Sequence, residues 1–216
     1  SYNLAVEKAS PAVVNIFSEQ IIRNQPSSNL KRSNSIFGER RSVKTSLGSG
    51  VILSQEGYIL TNQHVIGDRT LKVTIELSNG NKYLAQLIGI DKGTDLAVLK
   101  IQDEDFIFPS IEIEDSDKVK IGDIVLAIGN PYGLGQSVSM GIVSATGREF
   151  DNPYSNYIQT DASINRGNSG GALIDAKGRL VGINTLIRSS SGGSEGIGLA
   201  IPSANALQIV SDLIQY

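Results

Sequence analysis

From Leu47 onward the apolar residues of this chain come in short runs, each closed by a turn rich in glycine, asparagine or serine, and that rhythm leaves little room for helices. Residues 48–54 and 58–62 flank a turn at Gln55-Glu56-Gly57, the pattern of a hairpin. Leu71, Val73, Ile75 and Leu77 alternate with Lys72, Thr74 and Glu76, so one face of that strand is expected to be buried. A turn over 78–81 leads into a strand over 82–90, and Asp95 opens another over 95–101. The acidic stretch 102–117 reads as a crossover between two halves. Beyond it, residues 123–128, 136–143, 156–159, 172–174, 179–184 and 197–201 give a second series of short strands. Such spacing points to an all-β barrel or sandwich architecture. Helices are expected only at the ends: a short one over 3–8, and one after Pro202-Ser203 with Leu207, Val210, Leu213 and Ile214 on one face.

At 216 residues the chain suits one large all-β domain or two small barrels. It has no cysteine, which removes disulfides and Cys-based metal sites. The net charge of -3 comes from interspersed acids and bases, which argues against a nucleic-acid binder. No apolar run approaches the roughly 20 residues of a membrane span, and the start lacks the pattern of a signal peptide. Because it begins at Ser1 without a methionine, the chain is expected to be a processed or excised piece of something longer. Residues 19–45 are polar and turn-rich with a basic end, and read as a long mobile loop. The expected organisation is an N-terminal segment over 1–20 that makes oligomer contacts, a first barrel over 21–116, a second over 117–201 and a helix over 202–216.

The stretch Gly167-Asn168-Ser169-Gly170-Gly171 surrounds one serine with backbone freedom. That suits a nucleophile beside an oxyanion hole, whereas a tight turn between strands is the plain alternative. Serine needs a base, usually a histidine oriented by a carboxylate. The chain has a single histidine, His64, at the end of an apolar strand entering a turn at Gly67-Asp68. Asp68, Asp91 and Asp95 all lie in the right part of the chain; Asp95 is preferred because it precedes the apolar run 96–99 and is expected at a buried strand entrance. The order His64, Asp95, Ser169 is that of the chymotrypsin-type arrangement.

Leu47-Gly-Ser-Gly-Val-Ile52, Gly57-Tyr-Ile-Leu-Thr-Asn-Gln-His-Val65, Thr94-Asp-Leu-Ala-Val-Leu99, Ile128-Gly-Asn-Pro-Tyr132, Gln159-Thr-Asp-Ala-Ser-Ile-Asn165 and Gly167-Asn-Ser-Gly-Gly-Ala-Leu173 together resemble the HtrA (Deg) serine proteases over nearly the whole chain. The opening 1–6, the 130–136 loop and Glu195–Pro202 are most like the membrane-anchored periplasmic stress-sensor branch. The resemblance implies a chymotrypsin-like double β-barrel with the active site between the barrels, a homotrimer, and a PDZ domain and membrane anchor outside this chain. It also implies periplasmic cleavage of an anti-sigma factor. The length of 19–45 is nearer to general quality-control members, which keeps that role as the alternative, beside a catalytically silent protease-fold binding module. Arg166 stands where relatives often carry histidine.

On this reading Ser169 Oγ attacks a peptide carbonyl, His64 takes its proton, Asp95 holds the imidazole, and the Gly167 and Ser169 N–H groups bind the oxyanion. The reaction requires neither a metal nor another cofactor. Ser163, Ile164, Ile183, Asn184 and Thr185 are expected to line the specificity pocket; with no acid among them, small or medium apolar side chains should precede the cut. Gating is assigned to the loops around the nucleophile, with Tyr132, Arg148 and Gln159 as coupling residues.

Overall fold

The computed structural model describes residues 1–23, 41–130, 135–149, 156–165, 167–185 and 196–215. Helix α1 (Asn3–Ala9) leads into β1 (Val13–Arg23), β2 (Arg41–Ile52) and β3 (Tyr58–Asn62). A four-residue helix α2 (Gln63–Ile66) follows, then β4 (Thr70–Glu76), β5 (Lys82–Asp91) and β6 (Leu96–Ile101). These strands close a barrel in the order β1-β2-β3-β6-β5-β4. The second barrel contains β7 (Ile124–Gly129), β8 (Ser137–Arg148), β9 (Tyr157–Thr160), β10 (Ala172–Asp175), β11 (Leu180–Thr185) and β12 (Gly198–Pro202). It closes as β10-β11-β12-β9-β8-β7. Closure pairs the edge strands that an open sheet would expose. Helix α3 (Ser203–Ile214) ends the described chain against β5, β6, β11 and β12.

The cores follow from the alternation. Val125, Ala127, Val143, Ile158, Leu173 and Val181 fill the second barrel. Their neighbours Leu126, Ile128, Ile174, Leu180 and Ile183 face the other way and join the core of the first barrel in one apolar layer. This shared layer packs the two barrels against each other.

The sequence expectations need several corrections. The first barrel begins at Val13, so β1 starts inside the segment assigned to 1–20 rather than at 21. Residues 19–23 and 41–45, expected in a loop, are paired strand, with Glu19 opposite Thr45 and Arg23 opposite Arg41; the remainder of that loop, 24–40, lies outside the described residues. Leu71, expected on the buried face of its strand, is 55% exposed, because β4 pairs with β5 only from Val73 onward. In α3 the buried face is Ser203, Ala206 and Val210, with Leu213 partly covered against Gly89, while Leu207 and Ile214 face outward.

The crossover is more than a tether. Phe108 is buried against Tyr83 in an edge-on ring contact at 5.3 Å, and its N–H donates to Gln55 O at 3.0 Å. Ile113 then bridges to Leu180, and Arg179 is clamped between Glu114 and Asp175. Hydrogen bonding to Asp175 is the main reason the Arg179 guanidinium is held above its ordinary pKa, with the charges of Asp175 and Glu114 adding to it. Phe108→Ala should lower the unfolding free energy by about 3–5 kcal/mol, the usual cost of removing a buried phenylalanine, in a urea titration. A loss below about 1 kcal/mol would mean that the crossover is not part of the core.

Candidate active site

The site is built where β3 ends. Asn62 begins α2, which puts His64 in its first turn; Gly67, at φ +79, closes the helix by donating its N–H to Gln63 O at 2.9 Å. The last carbonyl, Ile66 O, accepts from Ser18 Oγ, Gln20 Nε2 and Thr70 Oγ1, each at 2.7 Å. A helix this short has little stability of its own, so these bonds and the packing of Val65 against Gly48 hold it in place.

Asp95 meets this helix from the turn before β6. His64 Nδ1 lies 2.6 Å from Asp95 Oδ2, and the His64 backbone N–H donates to Oδ1 at 3.0 Å. The Asp95 carbonyl accepts from Gln63 N at 2.9 Å and from Asn62 Nδ2 at 3.1 Å. These bonds hold Asp95 at φ +59, a left-handed conformation that costs a non-glycine residue about 1–2 kcal/mol. With the carboxylate as acceptor, Nδ1 is the donor and Nε2 keeps its lone pair. Asp95 is not the buried residue that the sequence suggested: its side chain is 30% exposed, and that of His64 43%. Of the alternatives, Asp91 holds the N–H of Gly93 and the hydroxyl of Thr94 within its own turn, while Asp68 pairs with Gln63 and with Lys92 in the turn after β5; neither binds His64 among the described residues.

Ser169 reaches this place from the second barrel. Gly167 and Gly170 have φ of +96 and +83, which only glycine adopts without strain. Space is as decisive as angle. A Cβ on Gly170 would lie 2.1 Å from Ser49 O and 2.3 Å from Thr61 Oγ1, and one on Gly171 would lie 2.2 Å from Ile128 O. Gly170 N donates to Asn184 O and Asn184 N to Gly171 O, so β11 supports the loop from behind. Ser169 is 2% exposed, and its Oγ has no hydrogen-bond partner among the described residues. No acceptor among the described residues engages the N–H of Gly167 or of Ser169. A base with a free lone pair, a hydroxyl and two uncommitted backbone donors are the parts of acyl transfer.

The other expected residues fall as follows. Ile183, Asn184 and Thr185 are buried on β11, where Asn184 Nδ2 donates to Ala172 O at 3.0 Å. Ile164 is in the core of the second barrel. Ser163 is exposed, its carbonyl accepting from Ser139 Oγ and Asn168 Nδ2. Arg148 is exposed at the end of β8, opposite Tyr157, and Gln159 is half-buried on β9, opposite Leu199. Tyr132 and Arg166 lie outside the described residues. Sequence reasoning missed Ser49, Thr61 and Asn130, although the Gly48-Ser49-Gly50 triplet signals a close backbone approach.

Comparison with known proteins agrees with this geometry. A family model described as a trypsin-like peptidase domain matches residues 48–183. The serine endoprotease DegS of Escherichia coli (strain K12) is 48% identical over 220 residues, covering 100% of this chain and 58% of that protein. The periplasmic pH-dependent serine endoprotease DegQ of the same strain is 51% identical over 173 residues, covering 79% of this chain and 38% of that protein. Among solved structures, the HtrA-type protease AlgW with decapeptide has a TM-score of 0.84 at 45% identity, covering 100% of this chain and 68% of that one. The serine endoprotease from Yersinia pestis has a TM-score of 0.77 at 48% identity, covering 100% and 67%. The chain thus spans little more than half of the DegS protein it matches.

Gly170→Ala should remove activity and cost at least about 2 kcal/mol of stability, since the substitution adds a backbone clash to an unfavourable φ. Thermal unfolding beside an activity assay checks this; a variant as stable as the parent would mean that the loop does not press on the first barrel as described.

Proposed function

Since the chain belongs to the trypsin-like peptidases, and among them to the HtrA-type serine proteases, we propose that it cleaves polypeptides through His64, Asp95 and Ser169. The observation that carries this reading is the 2.6 Å approach of the only histidine to Asp95, on the barrel against which the glycine-flanked Ser169 is pressed. His64 takes the Ser169 proton as Oγ attacks the scissile carbonyl and returns it to the leaving amine. Asp95 keeps Nδ1 protonated and offsets the imidazolium charge, and the N–H groups of Gly167 and Ser169 receive the oxyanion. Ser163, Ile164 and the β11 segment 183–185 set a preference for Val or Ala before the cut, since none of them carries an acid to pair with Lys or Arg.

The enzyme works in the periplasm, as the DegQ relative's name states for that protein. It acts as a homotrimer on a regulatory anti-sigma factor, with a PDZ domain and an inner-membrane anchor supplied by the longer protein. What favours this role is the 48% identity to DegS along the whole chain, against 44% for a DegP-like relative that also covers all of it. Its activity is gated: the shielded Ser169 hydroxyl, with no hydrogen-bond partner among the described residues, is what a catalytic serine looks like before its partner is drawn in. Tyr132, Arg148 and Gln159 couple the surrounding loops to that step.

Reaction with a fluorophosphonate, read by intact mass with and without candidate activating peptides, should add one label to the parent and none to Ser169→Ala or His64→Ala. Equal labelling of Ser169→Ala would contradict the assignment. Asp95→Asn should lower kcat on the order of 10⁴-fold while leaving the fold intact, because the imidazole then loses its orienting acceptor. Arg148→Ala should lower turnover without lowering the melting temperature; unchanged turnover would remove Arg148 from the gating scheme.

A further inference from the structure

Ser49 is wholly buried on β2, in the first barrel, yet most of its hydrogen bonds lead to the second. Its N–H donates to Ser169 O at 3.0 Å. Its hydroxyl lies 2.6 Å from Gly167 O and receives the N–H of Asn130 at 2.9 Å. Its own carbonyl is held by Thr61 Oγ1 at 2.7 Å. One residue thus grips the carbonyls on both sides of Asn168.

The direction of the hydroxyl bonds is forced. A carbonyl only accepts and a backbone N–H only donates, so the Ser49 proton must point at Gly167 O and its lone pair at Asn130 N. Gly167, at φ +96 and without a Cβ, has no side chain of its own to stop its peptide from turning. The Gly167–Asn168 peptide lies between the Gly167 and Ser169 N–H groups that the peptidase reading assigns to the oxyanion, so rotation there would turn one donor relative to the other. Asn130 is itself buried and accepts the N–H of Gly135 through Oδ1 at 2.8 Å, which fixes the start of the relay.

Resting on that reading, we propose that Ser49 is a positioning residue for catalysis. Through Asn130 N–H → Ser49 Oγ–H → Gly167 C=O, its hydroxyl holds one end of the peptide that joins the two donor-bearing peptides, the other end being held by the Asn168 N–H on Asn165 O at 3.0 Å, and so fixes the angle between the donors. The group touches neither substrate nor reacting atoms. It acts on the transition state because the donors it aims are needed most when charge develops on the carbonyl oxygen.

The test compares Ser49→Ala with Ser203→Ala, which also removes a buried hydroxyl bonded to a carbonyl, here Glu114 O at 2.8 Å, but far along the chain from the nucleophile loop. The substrate is a fluorogenic peptide copied from a cleavage site mapped with the parent, and the probe is the aldehyde of the same peptide, which forms an oxyanion adduct with an active serine. Ser49→Ala should lower kcat by about 10–100-fold and weaken the aldehyde by a similar factor, with KM within about twofold of the parent. Ser203→Ala should lower the melting temperature while keeping kcat, KM and aldehyde affinity within about twofold. An active parent whose Ser49→Ala variant keeps its kcat and its aldehyde affinity would overturn the proposal. A parent that neither cleaves nor takes a fluorophosphonate under any activating condition would instead overturn the peptidase reading, and the inference with it.

Discussion

The site depends on how closely a loop of one barrel is pressed onto a strand of the other. The backbone at Gly170 approaches Ser49 O and Thr61 Oγ1 so nearly that there is no space for even a methyl group. Thr61 is one residue from Asn62, where α2 begins, and α2 carries His64. The nucleophile loop of one barrel is therefore held beside the end of β3 on the other by close backbone approach rather than by long side chains. Apolar packing between β7, β10 and β11 and the first barrel supplies the force, and the glycines supply the room.

The strained residue belongs to the same design. Asp95 adopts a conformation usual for glycine because its carboxylate and carbonyl both bind segment 62–64, and those bonds exist only in the folded protein. Strain kept at a functional position by over-determined surroundings is a common arrangement. Here it explains how a half-exposed carboxylate can orient an imidazole without a buried pocket. Two hydrogen bonds to one helix turn do what burial would do elsewhere.

Much of this was legible in the sequence because the relevant signals are local. Strand rhythm announced the all-β architecture, the glycines around Ser169 announced a crowded turn, and a single histidine left no choice of base. The misses share a physical cause. Residues 19–23 and 41–45 form a ladder whose sequence is largely polar, so it offers no alternation of apolar and polar residues to read. Helix α2 is too short to show a helical period, and Leu71 alternates correctly but loses its cover where β4 and β5 part. Ser49 was invisible as a participant because its partners, Asn130 and Gly167, are far away in sequence and meet it only after both barrels have closed.

The chemistry of the site turns on His64 being held by Asp95 with its proton on Nδ1 and its lone pair on Nε2. With one histidine in the chain, a nitrogen NMR spectrum of the imidazole reads that residue alone. At alkaline pH the neutral ring should be in the Nδ1–H form, with a strongly hydrogen-bonded proton whose signal disappears in Asp95→Ala. A ring found mainly as the Nε2–H form, or a spectrum unchanged by Asp95→Ala, would contradict it.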